Sequence, residues 1–173
     1  MPDTSTRRTV AVDANIVINL IHAARLALFG AIPGYDFVAP EEVVAEIIDT
    51  SQRDQLDRAV SDGRLRVETI TEPDDLVEYA ELRRSLGKGE AACLVLAKRH
   101  GWLIASDEKG RFQRVAISTL GAGHIVNTAG LFVMAIRAGV MSVEDADEAK
   151  SQLERRRFRM PFGSFRDVIG GSS

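Results

Sequence analysis

Two aspartates each follow a short apolar segment of the chain. Asp13 follows "TVAV" and Asp107 follows "WLIAS", and both segments have the pattern of a buried β-strand. In an open parallel sheet, ligands bind beyond the carboxyl ends of the strands, at the point where the strand order reverses. An aspartate at such an end can also simply cap the helix that follows. Because both segments end on an acid, we interpret the pair as part of a functional crevice.

Two glutamate positions extend this acidic set. Glu90 lies in "GKGEAACLVLA", in the first turn of a predicted helix, where the helix dipole favours the ionised carboxylate. A first-turn glutamate is also common without any function. Glu46 lies at the edge of the apolar arc of "VVAEII", and Glu42 lies one turn earlier on the same flank. Periodicity alone does not choose between Glu42 and Glu46.

Several carboxylates without a Cys or His cluster form a ligand set for a hard cation. Mg²⁺ and Mn²⁺ prefer oxygen ligands, and either ion would relieve the repulsion between crowded acids. Such a cation can clamp a phosphodiester, offset its developing charge and orient or deprotonate a water. The single Cys93 excludes a multi-cysteine zinc site and an intrachain disulfide framework. We therefore expect Mg²⁺ or Mn²⁺ as the cofactor.

Strand and helix patterns alternate along the chain, and these predicted elements determine where the acids lie. Strands are predicted at 8–12, 65–70, 102–106 and 124–128. Helices are predicted at 16–30, 39–50, 53–63, 73–86, 87–101, 109–120, 129–139 and 142–158. This order predicts the α/β class: one domain with a mostly parallel central sheet of four or five strands, flanked by helices on both faces.

The composition fits one globular domain with a substantial core. The chain has 173 residues, of which 45% are hydrophobic and 27% charged. No apolar stretch approaches the roughly 20 residues that a bilayer requires, and the first residues lack a secretory h-region. We expect a cytoplasmic protein without a membrane partner. Its predicted parts are an N-terminal tail at 1–7, the domain at 8–157 and a basic C-terminal tail at 158–173.

The basic residues are concentrated in a few places. The net charge of −3 argues against a nucleic-acid binder that is basic on average, but "LERRRFRMPFGSFR" is strongly basic. These cations could contact phosphate or simply lie in solvent. The candidates for phosphate contact are the two lysines that flank the later acids and two arginines of the basic stretch: Lys88, Lys109, Arg155 and Arg156.

The order of four segments resembles the PIN-domain family. The segments are "VAVDANIVI", "APEEVVAEI", "GKGEAACLVLAKRHGWLIASDEKGR" and "IVNTAGLFVMAIRAGVM", which span most of the chain. By position, the resemblance implies the catalytic acids Asp13, Glu46, Glu90 and Asp107. It thereby selects Glu46 over Glu42, and it assigns the metal to Asp13, Glu90 and Asp107. It also implies supporting roles beside the acids for Asn15 and Ser106, while Glu108 could share the role of Asp107.

The resemblance further implies an activity and partners. We expect a divalent-metal-dependent endoribonuclease that hydrolyses RNA phosphodiester bonds, from the VapC-like toxin ribonuclease branch of the family. Its implied partners are an RNA substrate, an antitoxin protein and a second copy in a homodimer. One alternative is a PIN-fold module that binds RNA or protein without cleavage. Another is a phosphatase or phosphotransferase with Asp13 as nucleophile, which is disfavoured because Asn15 stands where that pattern has a second aspartate.

Overall fold

A computed structural model describes residues 6–171 as five parallel strands and flanking helices. The strands are β1 (Arg8–Val12), β2 (Tyr35–Pro40), β3 (Arg66–Glu68), β4 (Leu103–Ala105) and β5 (Ile125–Val126). The α-helices are α1 (Ala14–His22), α2 (Leu28–Ala31), α3 (Glu41–Glu46), α4 (Thr50–Ser61), α5 (Pro73–Leu82), α6 (Lys88–His100), α7 (Gly110–Leu120), α8 (Thr128–Arg137), α9 (Val143–Arg155) and α10 (Phe165–Gly170). Within these residues, none of the helices has both the length and the hydropathy needed to cross a bilayer.

The sheet has the strand order β3-β2-β1-β4-β5, and β1 lies at its centre. Val10, Ala11 and Val12 are fully buried, as expected for a strand covered on both faces. Strand β1 pairs with β2 on one side and with β4 on the other, all in parallel. The chain order therefore reverses between β1 and β4, and the crevice of such a sheet lies beyond their carboxyl ends. The predicted α/β class with a parallel sheet is confirmed.

Helix α6 is the most buried helix of the described chain, and it carries Glu90 in its first turn. Residues 91–97 are all buried, and several are alanines that allow close packing against the sheet. The helix ends at Gly101, whose φ of +69° favours glycine. The prediction of a helix between flanking glycines is therefore confirmed. Its packing fixes where the acid at its N-terminus can lie.

Strand β2 has no counterpart among the predicted elements. The predicted helix over 39–50 is divided in the structure: Ala39 and Pro40 finish β2, and α3 ends at Glu46. A new helix, α4, follows the N-cap Asp49, whose side chain accepts the N–H of Gln52 at 2.9 Å. The strand forms because Phe37 pairs with Val10 of the central strand, a long-range contact that local patterns do not show.

The C-terminal segment packs into the core. The sequence interpretation placed residues 158–173 in a basic tail, whereas the structure has α10 at 165–170 and a fully buried Phe165. The Phe165 ring meets Phe132 of α8 edge-on, with centroids 5.8 Å apart. The carboxylate of Asp147 on α9 accepts the N–H of Phe165 at 2.8 Å. The arginines of this segment suggested an exposed tail, but the segment also contains a buried aromatic residue that attaches it to the core.

Replacing Phe165 by alanine tests whether this segment belongs to the fold. We expect Phe165→Ala to lower the free energy of unfolding by about 3 to 5 kcal/mol, because it removes a fully buried ring. Arg159→Ala, at an exposed neighbour, is the control and should change it by less than about 0.5 kcal/mol. Denaturant unfolding of the purified variants measures both. Equal stability of the two variants would show that the segment is not part of the core.

Candidate metal-binding site

Asp13 lies at the carboxyl end of β1, at the point between β1 and β4 where the order of the strands reverses. Its side chain is only 4% exposed. Oδ1 accepts the N–H of Ala14 at 2.8 Å, so Asp13 also caps α1. Oδ2 accepts the hydroxyl of Ser106 at 3.0 Å and lies 3.4 Å from the amide nitrogen of Asn15. The carboxylate is therefore held in one orientation by groups from both strand ends.

Neighbouring negative charge raises the pKa of the buried Asp13 carboxylate. Burial raises the pKa of Asp13 to about 6, while the hydrogen bonds from Ala14 and Ser106 lower it. The carboxylates of Glu46 and Glu90 each raise it further, so both charges lie within electrostatic reach of Asp13. The structure thus brings together three of the four acids predicted as catalytic.

Glu46 and Glu90 are each held by a backbone N–H near the start of α6. Oε1 of Glu46 accepts the N–H of Gly89 at 2.7 Å, and Oε2 of Glu90 accepts that of Gly87 at 2.9 Å. A Cβ on Gly89 would lie 3.0 Å from Oε2 of Glu46 and 3.0 Å from Cγ2 of Val43. The glycine therefore leaves the space that the Glu46 carboxylate occupies, which explains the Gly-Glu sequence at this helix start.

Glu42 is a further acid of the same region. Its Oε2 is buried and has no hydrogen-bond partner within residues 6–171. Burial raises the pKa of the Cys93 thiol well above its usual range, and the charges of Asp13, Glu46, Glu42 and Glu90 raise it further. Because Cys93 is fully buried in α6, these four carboxylates lie within electrostatic reach of one part of that helix. Both glutamates that periodicity left open are near the site.

The Asp107 carboxylate is directed toward the start of α8. Its Oδ1 accepts the N–H of Thr128 at 2.8 Å. Its Oδ2 accepts the Thr128 hydroxyl at 2.5 Å and the side-chain amide of Asn19 at 2.9 Å. Both carboxylate oxygens are therefore occupied by donors of the protein. The structure places Asp107 in a polar connection between α1, β4 and α8.

Sequence reasoning missed Asn19 and Thr128. Both are buried, at 9% and 0% exposure, and the side-chain amide of Asn19 donates to the hydroxyl of Thr128 at 3.2 Å. A signal for each exists in the sequence. Asn19 lies four residues after Asn15, on the same face of an otherwise apolar helix. Thr128 follows the last strand, β5, at the same sheet edge as Asp13 and Asp107.

Glu108, the residue after Asp107, faces the Asp13 side. Its Oε1 lies 3.4 Å from the amide nitrogen of Asn15, the same nitrogen that lies 3.4 Å from Oδ2 of Asp13. Its backbone N–H donates to the hydroxyl of Ser106 at 3.1 Å. One amide thus links the carboxylates of Glu108 and Asp13. Glu108 is exposed, so it can turn toward a ligand without unfolding the loop.

Asn15, in the first turn of α1, and Ser106, in the loop after β4, link the chain segments that follow β1 and β4. The carbonyl oxygen of the Asn15 side chain accepts the N–H of Asp107 at 3.2 Å, while its nitrogen faces two carboxylates. The Ser106 hydroxyl donates to Asp13 and accepts from Glu108. Each polar side chain therefore uses both its donor and its acceptor. The resemblance assigned supporting roles to both residues, and their contacts suit such roles.

The predicted phosphate contacts lie in two separate places. Lys88 and Lys109 are exposed beside the acidic residues, at the starts of α6 and α7. Arg156 lies near His22: burial lowers the pKa of His22, and the charge of Arg156 lowers it further. His22 is at the end of α1 opposite Asp13, about 13 Å along the helix. Arg155, the preceding residue, is the exposed last residue of α9.

The donor chemistry of the site fits a hard divalent cation. All candidate ligands are carboxylate oxygens, and the buried Oε2 of Glu42 lacks a partner of its own. In their present orientations, however, no three or more Asp, Glu, His or Cys side chains of residues 6–171 are grouped closely enough to hold a metal ion. Glu46 and Glu90 instead hold backbone N–H groups. Binding a cation would therefore require these side chains to rotate toward Asp13.

Comparison with known proteins identifies the family. A family model described as a PIN domain matches residues 9–170, nearly the whole chain. The chain belongs to the PIN-domain family, whose members are generally nucleases and typically use divalent metals. No curated protein matches the chain significantly.

Replacing the buried carboxylate of Asp13 by its neutral amide tests the electrostatics of the site. Because folding raises the pKa of Asp13 from 3.8 to about 6, folded protein binds more protons than unfolded protein between these values. Stability therefore falls as pH rises from about 4 to about 6 and stays at the lower level above that. We expect Asp13→Asn to raise the free energy of unfolding by about 1 to 3 kcal/mol at pH 7.5 without divalent metal, and by little below pH 4.

Unfolding with and without Mn²⁺ completes this test. Mn²⁺ should raise the unfolding midpoint of the wild type and leave that of Asp13→Asn nearly unchanged, because only bound ion stabilises the fold. Asp54→Asn, at an exposed position of α4, should behave as the wild type. An equal Mn²⁺ effect on all three proteins would rule out Asp13 as a ligand.

Proposed function

We propose that this PIN-domain protein is a divalent-metal-dependent endoribonuclease that hydrolyses RNA phosphodiester bonds. The observation that carries the proposal is the buried Asp13 carboxylate at the sheet's switch point, with the charges of Glu46 and Glu90 beside it. A cluster of acids would repel the phosphates of RNA. With a bound cation the same cluster attracts them.

Each acid has a distinct role in this proposal. Mg²⁺ or Mn²⁺ bound among the acids would supply positive charge for the phosphate oxygens and lower the pKa of a water. Asp13 and Glu90 would hold the ion, and Glu46 completes the acidic pocket from α3. Ser106 and Asn15 keep the Asp13 carboxylate from rotating, since both contact its Oδ2. Pre-orientation of this kind lowers the cost of forming the reactive arrangement.

We assign the fourth acidic position to Glu108 and a positioning role to Asp107, which departs from the assignment by resemblance. Asp107 already accepts three hydrogen bonds from Thr128 and Asn19. Glu108 is exposed and shares the Asn15 amide with Asp13. The Glu108 carboxylate is therefore free to join Asp13, while Asp107 fixes the loop that presents it.

The proposal of RNA and protein partners rests on the resemblance to the PIN-domain family and on the charge distribution. Lys88 and Lys109 are exposed beside the acids and can contact the phosphates that flank the cleaved bond. We also propose that the protein acts in the cytoplasm as the toxin of a type II toxin–antitoxin pair, and as a homodimer. A cognate antitoxin would insert an Arg or Lys into the acidic pocket, where its cation would replace the metal charge.

Cleavage of single-stranded RNA by the purified chain tests the nuclease proposal. We expect endonucleolytic products with Mg²⁺ or Mn²⁺, none with excess chelator, and a loss of about 100-fold or more in rate for Asp13→Asn, because a ligand should matter at least as much as its supporting residues. Asp54→Asn is the matched control. Metal-independent RNA binding without any turnover would instead support the non-catalytic module, and full activity of Asp13→Asn would refute this site.

Paired amide substitutions separate the roles of the two neighbouring acids. We expect Glu108→Gln to lower the turnover number about tenfold or more while changing the free energy of unfolding by less than about 0.5 kcal/mol. Asp107→Asn should lower that free energy by about 1 to 3 kcal/mol, because donors at the α8 start lose part of their acceptor. The assignment would be reversed if Glu108→Gln were fully active and Asp107→Asn were stable but inactive.

A further inference from the structure

A cavity lies next to the acidic site, between α7 and the start of α8. Its volume is about 340 Å³, and it shares the loop of Ser106, Asp107 and Glu108 with the site described above. We call it the α7–α8 cavity. Its other walls come from one face of α7, with Gln113 and Ile117 one turn apart, and from the end of β5. A molecule in this cavity would therefore contact the loop that carries Glu108.

One wall of the α7–α8 cavity is apolar. It is formed by Ile117, Ile125 and Val126, and Ile117 is 40% exposed although it is a large apolar residue. Ile125 and Val126 are partly buried and pack against the core. Covering these side chains with a flat, apolar face would remove their surface from water. The wall thus suits the face of a planar ring.

The remaining lining offers neutral amide groups. The side-chain amide of Gln113 has no hydrogen-bond partner within residues 6–171, and the same holds for the amide nitrogen of Asn127. The oxygen of Asn127 accepts the N–H of Gly130 at 2.8 Å, which fixes the orientation of that side chain. A side-chain amide combines a donor with an acceptor and can pair with the edge of a nucleobase.

We propose that the α7–α8 cavity binds one nucleobase of single-stranded RNA, adjacent to the phosphate that is cleaved, and that Gln113 selects this base. The inference rests on the proposed function and adds a specificity site to it. The volume is near the lower end of the range for small-ligand sites, which suits one nucleoside rather than a longer segment. The bases of a duplex are already paired, so the substrate must be single-stranded here.

The charges around the cavity also favour a base over a phosphate. Asp107 and Glu108 form the wall toward the acidic site, and they would repel a phosphate group placed inside the cavity. Lys109 is exposed at the same wall and can contact the phosphate on the solvent side. The neutral base would therefore lie against Ile117, within reach of the Gln113 amide, with its phosphate outside the cavity on the side of Lys109.

Titration of the full chain with uncharged nucleosides tests the cavity without requiring catalysis. We expect adenosine, guanosine, cytidine or uridine, at up to about 10 mM, to shift backbone NMR signals within residues 108–130 in the absence of metal. Gln113→Ala should lower the affinity for the preferred nucleoside by about fivefold or more. Gln55→Ala, on α4 and outside the cavity, should bind as the wild type. Absence of shifts in this segment for all four nucleosides would overturn the proposal.

Cleavage of short RNAs that differ in one base beside the cut tests the same residue by selectivity. We expect Gln113→Ala to reduce the ratio of kcat/KM between the best and the poorest base by about fivefold or more. An unchanged ratio would contradict the role of Gln113. Because nucleoside binding needs no cleavage, a chain that binds nucleosides but leaves RNA intact would refute the nuclease proposal and retain the base site.

Discussion

The burial of the Asp13 carboxylate at the switch point of a parallel sheet is the constraint on which the site depends. The carboxylate is 4% exposed and lies beside two other negative charges, so folding places it where its ionised form is unfavourable. A helix cap alone would not require this, because Asp49 caps α4 with its side chain and is exposed. The fold thus holds a carboxylate where its negative charge is unfavourable, and a bound divalent cation would offset this charge. Such local costs are typical of functional sites.

Two short segments of the chain keep that charge in place. The start of α1 carries Asp13 as its N-cap and Asn15 in its first turn, and the loop after β4 carries Ser106 and Glu108; side chains of each segment hydrogen-bond the other. Asp107 then fixes the second loop to α8 through Thr128. The same loop forms one wall of the α7–α8 cavity. The loop after β4 therefore determines three things: where the acids lie, how Glu108 is oriented and how the proposed base site is formed.

The parts of the fold that follow from local pattern were predictable from the sequence. Strand β1 ends in an apolar run, β4 is apolar throughout, and α6 is bounded by glycines, so their ends and the acids beside them could be located. Strand β2 was not predicted because its formation depends on pairing with β1 across the intervening helices. The burial of Phe165 was hidden by the arginines around it. In both cases a tertiary contact outweighs the local signal.

The site was predictable only in outline. The segments ending on Asp13 and Asp107 indicated a shared sheet edge, which the structure has. Side-chain direction at that edge depends on partners distant in sequence. Asp107 turns to Thr128 because a helix start with free N–H groups lies there, and this leaves the Asp13 side to Glu108. The hydrophobic periodicity of strands and helices cannot show which of two neighbouring acids, Asp107 or Glu108, faces Asp13.

The most direct test of the account is the anomalous scattering of Mn²⁺ in crystals of the protein soaked with that ion. The account predicts a peak about 2.1 Å from a carboxylate oxygen of Asp13, with the Glu90 and Glu108 side chains rotated toward it and Asp107 still bound to Thr128. A peak on Asp107 with none at Asp13, or no peak near either residue in active protein, would contradict it.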